Sequence, residues 1–438
     1  MEIKGFKINK LHGTLDFDLK FKDNTLILVG ENGSCKTTII KMLYYTLSLQ
    51  YGKLNMYEYE SIEIHIDDDN YKLEKKVFKV LGEMLLEQFP PQIVRDFISR
   101  IETYGFVDYQ VVEDLCKRYN IKIEEILQKY YLSGKKHVNV LIDTMLNLRR
   151  KVDGVHVLYL PTYRRIEEEL TVILNRRIDE DDTKYRYTDS SNYMELIEFG
   201  MHDVEVAINE TLSGIKDLSR LNLNNLTLSY LGDIVDGKYE MSDTKEIRNI
   251  DDVTINQILS RVDKSILSKK QKNKLLKILQ DNKNKNLVEN EHDRVLIHYF
   301  LKLYDLHERM SEKETSFRNF VDVCNRYLQN KTVKYDSLNF SFSITSKYDG
   351  HNIELYQLSS GEKQIVSLFS HLYLSNKNNC LVLIDEPELS LSVKWQKTFL
   401  EDVRKGAFCN GLVAVTHSPF VFENSLDGYA HGIGEFRK

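Results

Sequence analysis

The chain has 438 residues, of which 42% are hydrophobic and 29% charged, with only five Pro and a formal net charge of −6. That balance excludes a disordered or collagen-like chain, points to a packed, helix-rich protein, and gives no global reason to expect nucleic acid, although a local basic patch can act on its own. The length favours two lobes or one core with insertions over a single small domain. Five cysteines, at 35, 116, 324, 380 and 409, form no C-x-x-C pair, so neither a disulfide framework nor a zinc site is indicated. The N-terminal MEIKGFKINKLHG alternates like a strand, and no run of 18 apolar residues occurs, so the expectation is a soluble, cytoplasmic protein without a membrane partner.

In chain order, residues 1–29 hold two strand-like stretches, and the second, Thr25 to Val29, is an apolar run suited to a buried parallel strand. It ends directly on Gly30 of GENGSCKTT (30–38), and apolar residues at helical spacing follow as far as Tyr45. Residues 60–66, an acidic turn at 67–70 and residues 71–78 predict a hairpin beside this core, and 79–150 reads as helices. Val155 to Leu160 is another buried-strand candidate, followed by Pro161-Thr-Tyr-Arg-Arg165, and 178–192 has the composition of a mobile loop. From 254 to 328 the pattern is helical, with Ile255, Ile258, Leu259 and Val262 on one segment and Leu296, Phe300, Leu303, Leu306 and Met310 on another. A turn at 281–286 would make these a helical hairpin. Its first arm and tip carry eight Lys and one acidic residue between 264 and 285, which reads either as a solvated face or as a surface for an acidic partner. Strand alternation returns over 331–358, and the chain closes with helix, strand, helix, strand and a short tail.

Strand, glycine-rich loop and helix together form a phosphate-binding context. Backbone N–H groups of Gly30, Asn32, Gly33, Ser34, Cys35 and Thr38 would face a phosphate at the positive end of the helix, Lys36 would neutralise its charge, and Thr37 would ligate Mg²⁺. The pattern G-x-x-x-x-G-K-[ST] is met except that Cys35 replaces the second Gly. If that position requires positive φ, a Cys costs on the order of 1 kcal/mol relative to Gly; a redox-sensing role for its thiol stays open. Three further motifs follow: LSSGEKQ (358–364) opening a helix, CLVLIDEPE (380–388) as a buried strand ending in carboxylates, and the strand Leu412 to Val415 leading into Thr416-His417-Ser418. Each has a plain structural reading as a helix cap, a strand end or a turn. Together, in this order behind a phosphate loop, they indicate ATP binding.

At these residues the chain resembles the ABC-type ATPases, more narrowly their SMC, RecF and OLD branch, over residues 1–78, 155–166 and 331–425. The resemblance implies an α/β fold: an ABC-ATPase core of mixed and parallel sheet with helical insertions including a hairpin. It divides the chain into an ATPase lobe at 1–78, a helical insertion at 79–154, a core strand and loop at 155–166, a second insertion at 167–330 and a second lobe at 331–438. It also implies that Asp385 holds Mg²⁺, that Glu386 positions or deprotonates the attacking water, and that His417 contacts the γ-phosphate. Ser359, Ser360, Gly361 and Glu362 would form the signature that reaches ATP on a second copy, making a homo-oligomer of at least two chains. The loop glutamine of these ATPases has no assigned counterpart; Arg164 or Arg165 would meet a phosphate or a neighbouring carboxylate, or make a surface salt bridge.

The stretches YLPTYRRIEEEL (159–170), EFGMHDVE (198–205) and THSPFVFENSLDGYA (416–430) resemble stand-alone ATPases of bacterial anti-phage systems, such as the PARIS ATPase AriA and, more distantly, the Septu ATPase PtuA. That resemblance implies a sensor and scaffold that responds to a phage-derived trigger and controls a separate effector, a nuclease. With about twenty residues after His417, the expectation is a nuclease supplied in trans. Two alternatives are a DNA-binding repair ATPase of RecF or SMC type, with nucleic acid as partner, and a transporter subunit, to which the large insertions are foreign.

Overall fold

In a computed structural model, which describes residues 1–86, 116, 127, 136–161, 193–195, 201–241, 246–262, 267–285, 290–375, 377–389 and 391–438, the chain divides into two compact units. The first comprises residues 1–198 and 377–438, and the second residues 199–376.

The first unit begins with β1 (Ile3–Leu11), β2 (Leu15–Lys20) and β3 (Thr25–Val29), then α1 (Lys36–Leu47) and α2 (Tyr51–Asn55). After β4 (Ser61–Ile66) and β5 (Asp69–Glu74) come α3 (Lys75–Leu86), α4 (Lys136–Val152), β6 (His156–Leu160) and β7 (Tyr193–Glu195). The expected hairpin forms, but its second strand ends at Glu74, and residues 75–78, read from sequence as strand, begin α3. The reason is periodicity: Phe78, Leu81 and Leu85 recur at helical spacing and all three are buried completely. An antiparallel sheet of order β2-β1-β4-β5 results. Of the helical reading of 79–150, α3 and α4 are described; the rest of it, the loop at 178–192 and Arg164 and Arg165 lie outside the described residues.

In the second unit, α5 (Met201–Val235), α6 (Asp252–Arg261), α7 (Lys269–Lys285) and α8 (Glu291–Tyr327) precede the hairpin β8 (Lys331–Asp336) and β9 (Ser341–Ser346), and α9 (Ser360–Leu374) follows. Asp251 and Asn290 cap α6 and α8 by accepting from the N–H groups of Thr254 and Asp293. Ile255, Ile258, Leu259 and Val262 are buried as expected, with Phe300 and Leu303 of α8. The turn expected at 281–286 is instead helix through Lys285. Leu279 is wholly buried, Asn282 is buried, and Lys283 donates to the Ile250 carbonyl and to Asp252, so packing holds a helix that local propensity would end.

The chain returns to the first unit with β10 (Cys380–Asp385), α10 (Val393–Arg404), β11 (Cys409–Thr416) and β12 (Ala430–Gly432). These complete a six-stranded sheet of order β12-β3-β11-β10-β6-β7, parallel at every pairing. Every residue of β10 is buried, the signature of a parallel strand covered on both faces. The expected α/β class, with a parallel sheet and helical insertions, is what the structure shows. Among the described residues no helix is long and apolar enough to cross a membrane.

Where β11 begins, its backbone meets the turn before β3. Asn24 accepts from the Ile3 N–H at 2.8 Å, and its carbonyl accepts from the Leu412 N–H at 3.0 Å. A Cβ on Gly411 would lie 2.7 Å from that carbonyl oxygen, a backbone atom that cannot step aside. Gly411→Ala therefore lowers stability by about 1–3 kcal/mol, the usual cost of overpacking. Gly428→Ala, in open space, stays within about 0.5 kcal/mol. Urea unfolding midpoints of the two variants check the difference.

Candidate functional site

The loop expected to bind phosphate, called the phosphate loop below, links the carboxyl end of β3 to α1. Gly30 is required by space, since a Cβ there would meet Ile433 and the Ser34 hydroxyl, each at 2.9 Å. Gly33 is required by conformation, with φ +82°. The Ser34 hydroxyl donates to the Glu31 carbonyl at 2.7 Å, closing the loop on itself. Cys35 stands at φ 69° and ψ 9°, in the left-handed region, as the residue before the first turn of α1. The conformation a glycine would supply is thus kept by a cysteine at a cost of about 1–2 kcal/mol. Lys36 is buried along its stem, and its Nζ donates to the carbonyls of Gly30 and Glu31, each at 2.7 Å. Asn32 is exposed on the loop and Thr38 half-buried at the start of α1.

Beside the loop, β10 ends on Asp385. Its Oδ1 accepts from the Thr37 hydroxyl at 3.0 Å, and its Oδ2 lies 3.4 Å from the hydroxyl of Tyr159 on β6. Tyr159 in turn stacks on Tyr44 of α1, with ring centroids 5.1 Å apart. A hydroxyl and a carboxylate in contact under a phosphate loop are the donor pair expected of a Mg²⁺ site completed by a nucleotide's phosphates and water. Glu386 follows at φ 52°, a second left-handed residue without a glycine's freedom, and its N–H donates to the Val415 carbonyl at 2.9 Å. Such strain is tolerated where surrounding contacts over-determine the backbone, and functional sites are where it gathers.

His417 lies just past β11, and its ring and backbone meet one group. Both its N–H and its Nδ1 lie 2.9 Å from Oε1 of Glu388, a buried carboxylate. An ionised carboxylate only accepts, so Nδ1 carries the proton and Nε2 is the free ring atom. The His417 side chain is 45% exposed, so the ring is partly open to solvent. Gln396 of α10 adds a second tie: its amide donates to the carbonyls of Glu388 and Leu391, and its oxygen accepts from the Ser418 hydroxyl.

The remaining candidates belong to the second unit. Ser359 precedes α9, and its N–H and hydroxyl both donate to Glu362 at 2.9 Å. Lys331 of β8 donates to both oxygens of that carboxylate, at 2.7 and 2.8 Å. Burial alone would raise the Glu362 carboxyl, but Lys331 and Ser359 outweigh it and hold the group below the usual carboxylate range. The Glu362 side chain therefore serves as the cap that orients the start of α9. Ser360 is exposed and Gly361 half-exposed at that helix start.

Residues 165–423, more than half of the chain, match the family described as AAA domain, putative AbiEii toxin, Type IV TA system. The chain belongs to that family. This AAA-domain protein is also 25% identical over 427 residues to the Retron Vc95 probable ATPase of Vibrio cholerae serotype O1 biovar El Tor, covering 92% of this chain and 68% of that one. Among solved structures, the Smc head domain of Pyrococcus furiosus, with an extended coiled coil and bound to the C-terminal domain of ScpA, aligns over 96% of this chain and 90% of its own. Identity there is 10% and the TM-score 0.34. An SmcHead bound to the C-winged helix domain of ScpA gives the same two values over 96% and 91%. Likeness at that level carries no argument.

The sequence assigned no role to three residues that the AAA-domain protein brings to the site: Tyr159, Glu388 and Gln396. Only Glu388 left a signal, as the last acid of Asp385-Glu386-Pro387-Glu388, 29 residues before His417. Two outcomes are expected. Cys35→Gly changes ATP affinity by at most about tenfold, whereas Cys35→Val, β-branched in a left-handed position, abolishes it; calorimetric titration of both with ATP separates them. Glu388→Ala frees the His417 ring and lowers kcat of phosphate release by about 10- to 100-fold with KM little changed, the pattern of an interaction made in the transition state.

Proposed function

We propose that this chain is an ABC-type ATPase, with ATP and Mg²⁺ as cofactors, whose sites are completed by a second copy. In this reading it serves as the sensor and scaffold of an anti-phage defence complex. The observation that carries the ATPase reading is the contact of Thr37 with Asp385, 3.0 Å apart at the end of a buried parallel strand, beside an amine already held by the phosphate loop's carbonyls. Lys36 exchanges its carbonyl partners for phosphate oxygens, and the loop N–H groups and α1 supply further positive potential. Mg²⁺, when bound, neutralises charge on the transferring phosphoryl group. Glu386 orients and deprotonates the attacking water, and His417, with Nδ1 fixed on Glu388, turns Nε2 toward the γ-phosphate. Ser359, Ser360 and Gly361 supply N–H and hydroxyl donors to nucleotide held by a partner copy, with Glu362 shaping that helix start.

Support for the biological role is the match to a family described by a toxin–antitoxin system and to a retron ATPase, together with the resemblance to the PARIS and Septu ATPases. The effector is a separate protein, a nuclease, and the trigger is phage-derived. Control of the effector requires that it prefer one nucleotide state, since a partner that binds both states equally shifts nothing. Glu386→Gln accumulates ATP-bound closed dimer in sedimentation, and Lys36→Ala stays in the nucleotide-free assembly with or without ATP. In cells carrying the chain with its genomic neighbours, both variants lose phage protection by more than about tenfold in plating, the factor expected of a coupling near 1.4 kcal/mol. Full protection by both, with no effector bound to any form, overturns the defence reading in favour of a DNA-binding repair ATPase; unchanged assembly overturns the composite site.

A further inference from the structure

The second unit holds a pocket of about 650 Å³ that the ATPase reading does not use. It opens between the last turns of α6, the C-terminal third of α8 and the β8–β9 hairpin. Beneath it Glu314 of α8 is wholly buried, and one of its oxygens accepts from two guanidiniums, Arg261 at 3.0 Å and Arg318 at 2.6 Å. A buried carboxylate is costly to desolvate, and two arginines offset that cost while fixing each other's geometry. Each arginine donates through one nitrogen there, and both residues also line the pocket, with further N–H groups in each fork. The Arg318 guanidinium is further held over the ring of Tyr335, 5.4 Å from its centroid.

The hairpin adds the opposite wall. Its register sets Lys334 across from Ser343, and Asp336 across from Ser341. Asp336 is spent on its own turn, accepting from the backbone of Leu338 and the side chain of Asn339. Arg261, Arg318 and Lys334 against Asp336 and Glu314 leave three positive charges to two negative, so the pocket keeps one positive charge in excess. Planar guanidinium forks, an ammonium and serine hydroxyls are donors matched to a tetrahedral oxyanion, and a volume in this range suits a ligand of mononucleotide size.

We propose that this pocket binds a small phosphorylated ligand, a phosphate monoester of about mononucleotide size, at a site separate from the phosphate loop. Arg261 and Arg318 grip the phosphoryl group from a position preset by Glu314, while Lys334 and the hairpin hydroxyls close on it. The test uses the full chain carrying Lys36→Ala, which disables the phosphate loop, titrated calorimetrically with inorganic phosphate and with AMP. Binding at one site per chain is expected to persist in that background. Lys334→Gln, which leaves the Glu314 cluster intact, weakens it by at least about tenfold, the scale of a hydrogen bond to a charged group. Ser343→Ala, which removes a hydroxyl and no charge, weakens it by a smaller factor, and both variants keep the parent melting temperature. Absence of binding in the Lys36→Ala chain, or binding indifferent to both hairpin variants, overturns the proposal. So does tight binding of a single-stranded oligonucleotide without any of phosphate or AMP, which assigns the pocket to a nucleic-acid backbone.

Discussion

The site rests on the register of three parallel strands. Val29 of β3 pairs with Thr416 of β11, and Val415 pairs with Asp385 of β10, so all three strands run out at one level. Loops that leave neighbouring strands at the same edge have to converge, which is why open α/β sheets hold ligands beyond their carboxyl ends. The glycine-rich loop, the carboxylates of Asp385 and Glu386 at the end of β10, and His417 all leave the sheet at this edge. Slipping β10 by one residue would turn Asp385 away from Thr37 and exchange the side chains packed on the strand's two covered faces.

The same edge holds the backbone's departures from relaxed geometry. Cys35 and Glu386 both adopt left-handed φ without being glycine. Each is pinned by neighbours: Cys35 by the first turn of α1, whose Ile39 N–H donates to its carbonyl, and Glu386 by its bond to the Val415 carbonyl. On the order of 1–2 kcal/mol per residue is absorbed here. The sheet can carry it because β10 and β11 are buried along nearly their whole length.

Most of this edge was legible in the sequence because its signals are local. A strand that ends on glycine, a lysine before a threonine, and two acids after an apolar run are read within a few positions of each other. The roles of Tyr159 and Gln396 were not legible, since Tyr159 meets Asp385 across 226 residues of chain and Gln396 meets Ser418 across 22. Strand alternation expected to run to 358 ends at Ser346, and residues 1–29 hold three strands in place of two. Two further misplaced boundaries failed for one reason. At 75–78 and at 281–285, tertiary burial of Phe78 and Leu279 decided the conformation where short-range alternation and polar composition pointed elsewhere. The pocket over Glu314 was invisible in advance: Arg261, Glu314, Arg318 and Lys334 are scattered over four elements' worth of chain, and only folding brings their charges to one place.

The first unit is discontinuous, and that has a consequence for how the molecule is made. Its sheet places β3 and β6 on either side of β11 and β10, yet those two inner strands are supplied only after residue 377. On the ribosome, β3 and β6 emerge with their central neighbours unwritten, and the whole of the second unit is synthesised before the gap can be filled. Domains close as units in order of emergence, and long-range parallel pairing is slow. The helical second unit is therefore able to consolidate while the phosphate loop is still attached to an unpaired strand. Until Asp385 emerges, the Thr37 hydroxyl has no carboxylate to meet.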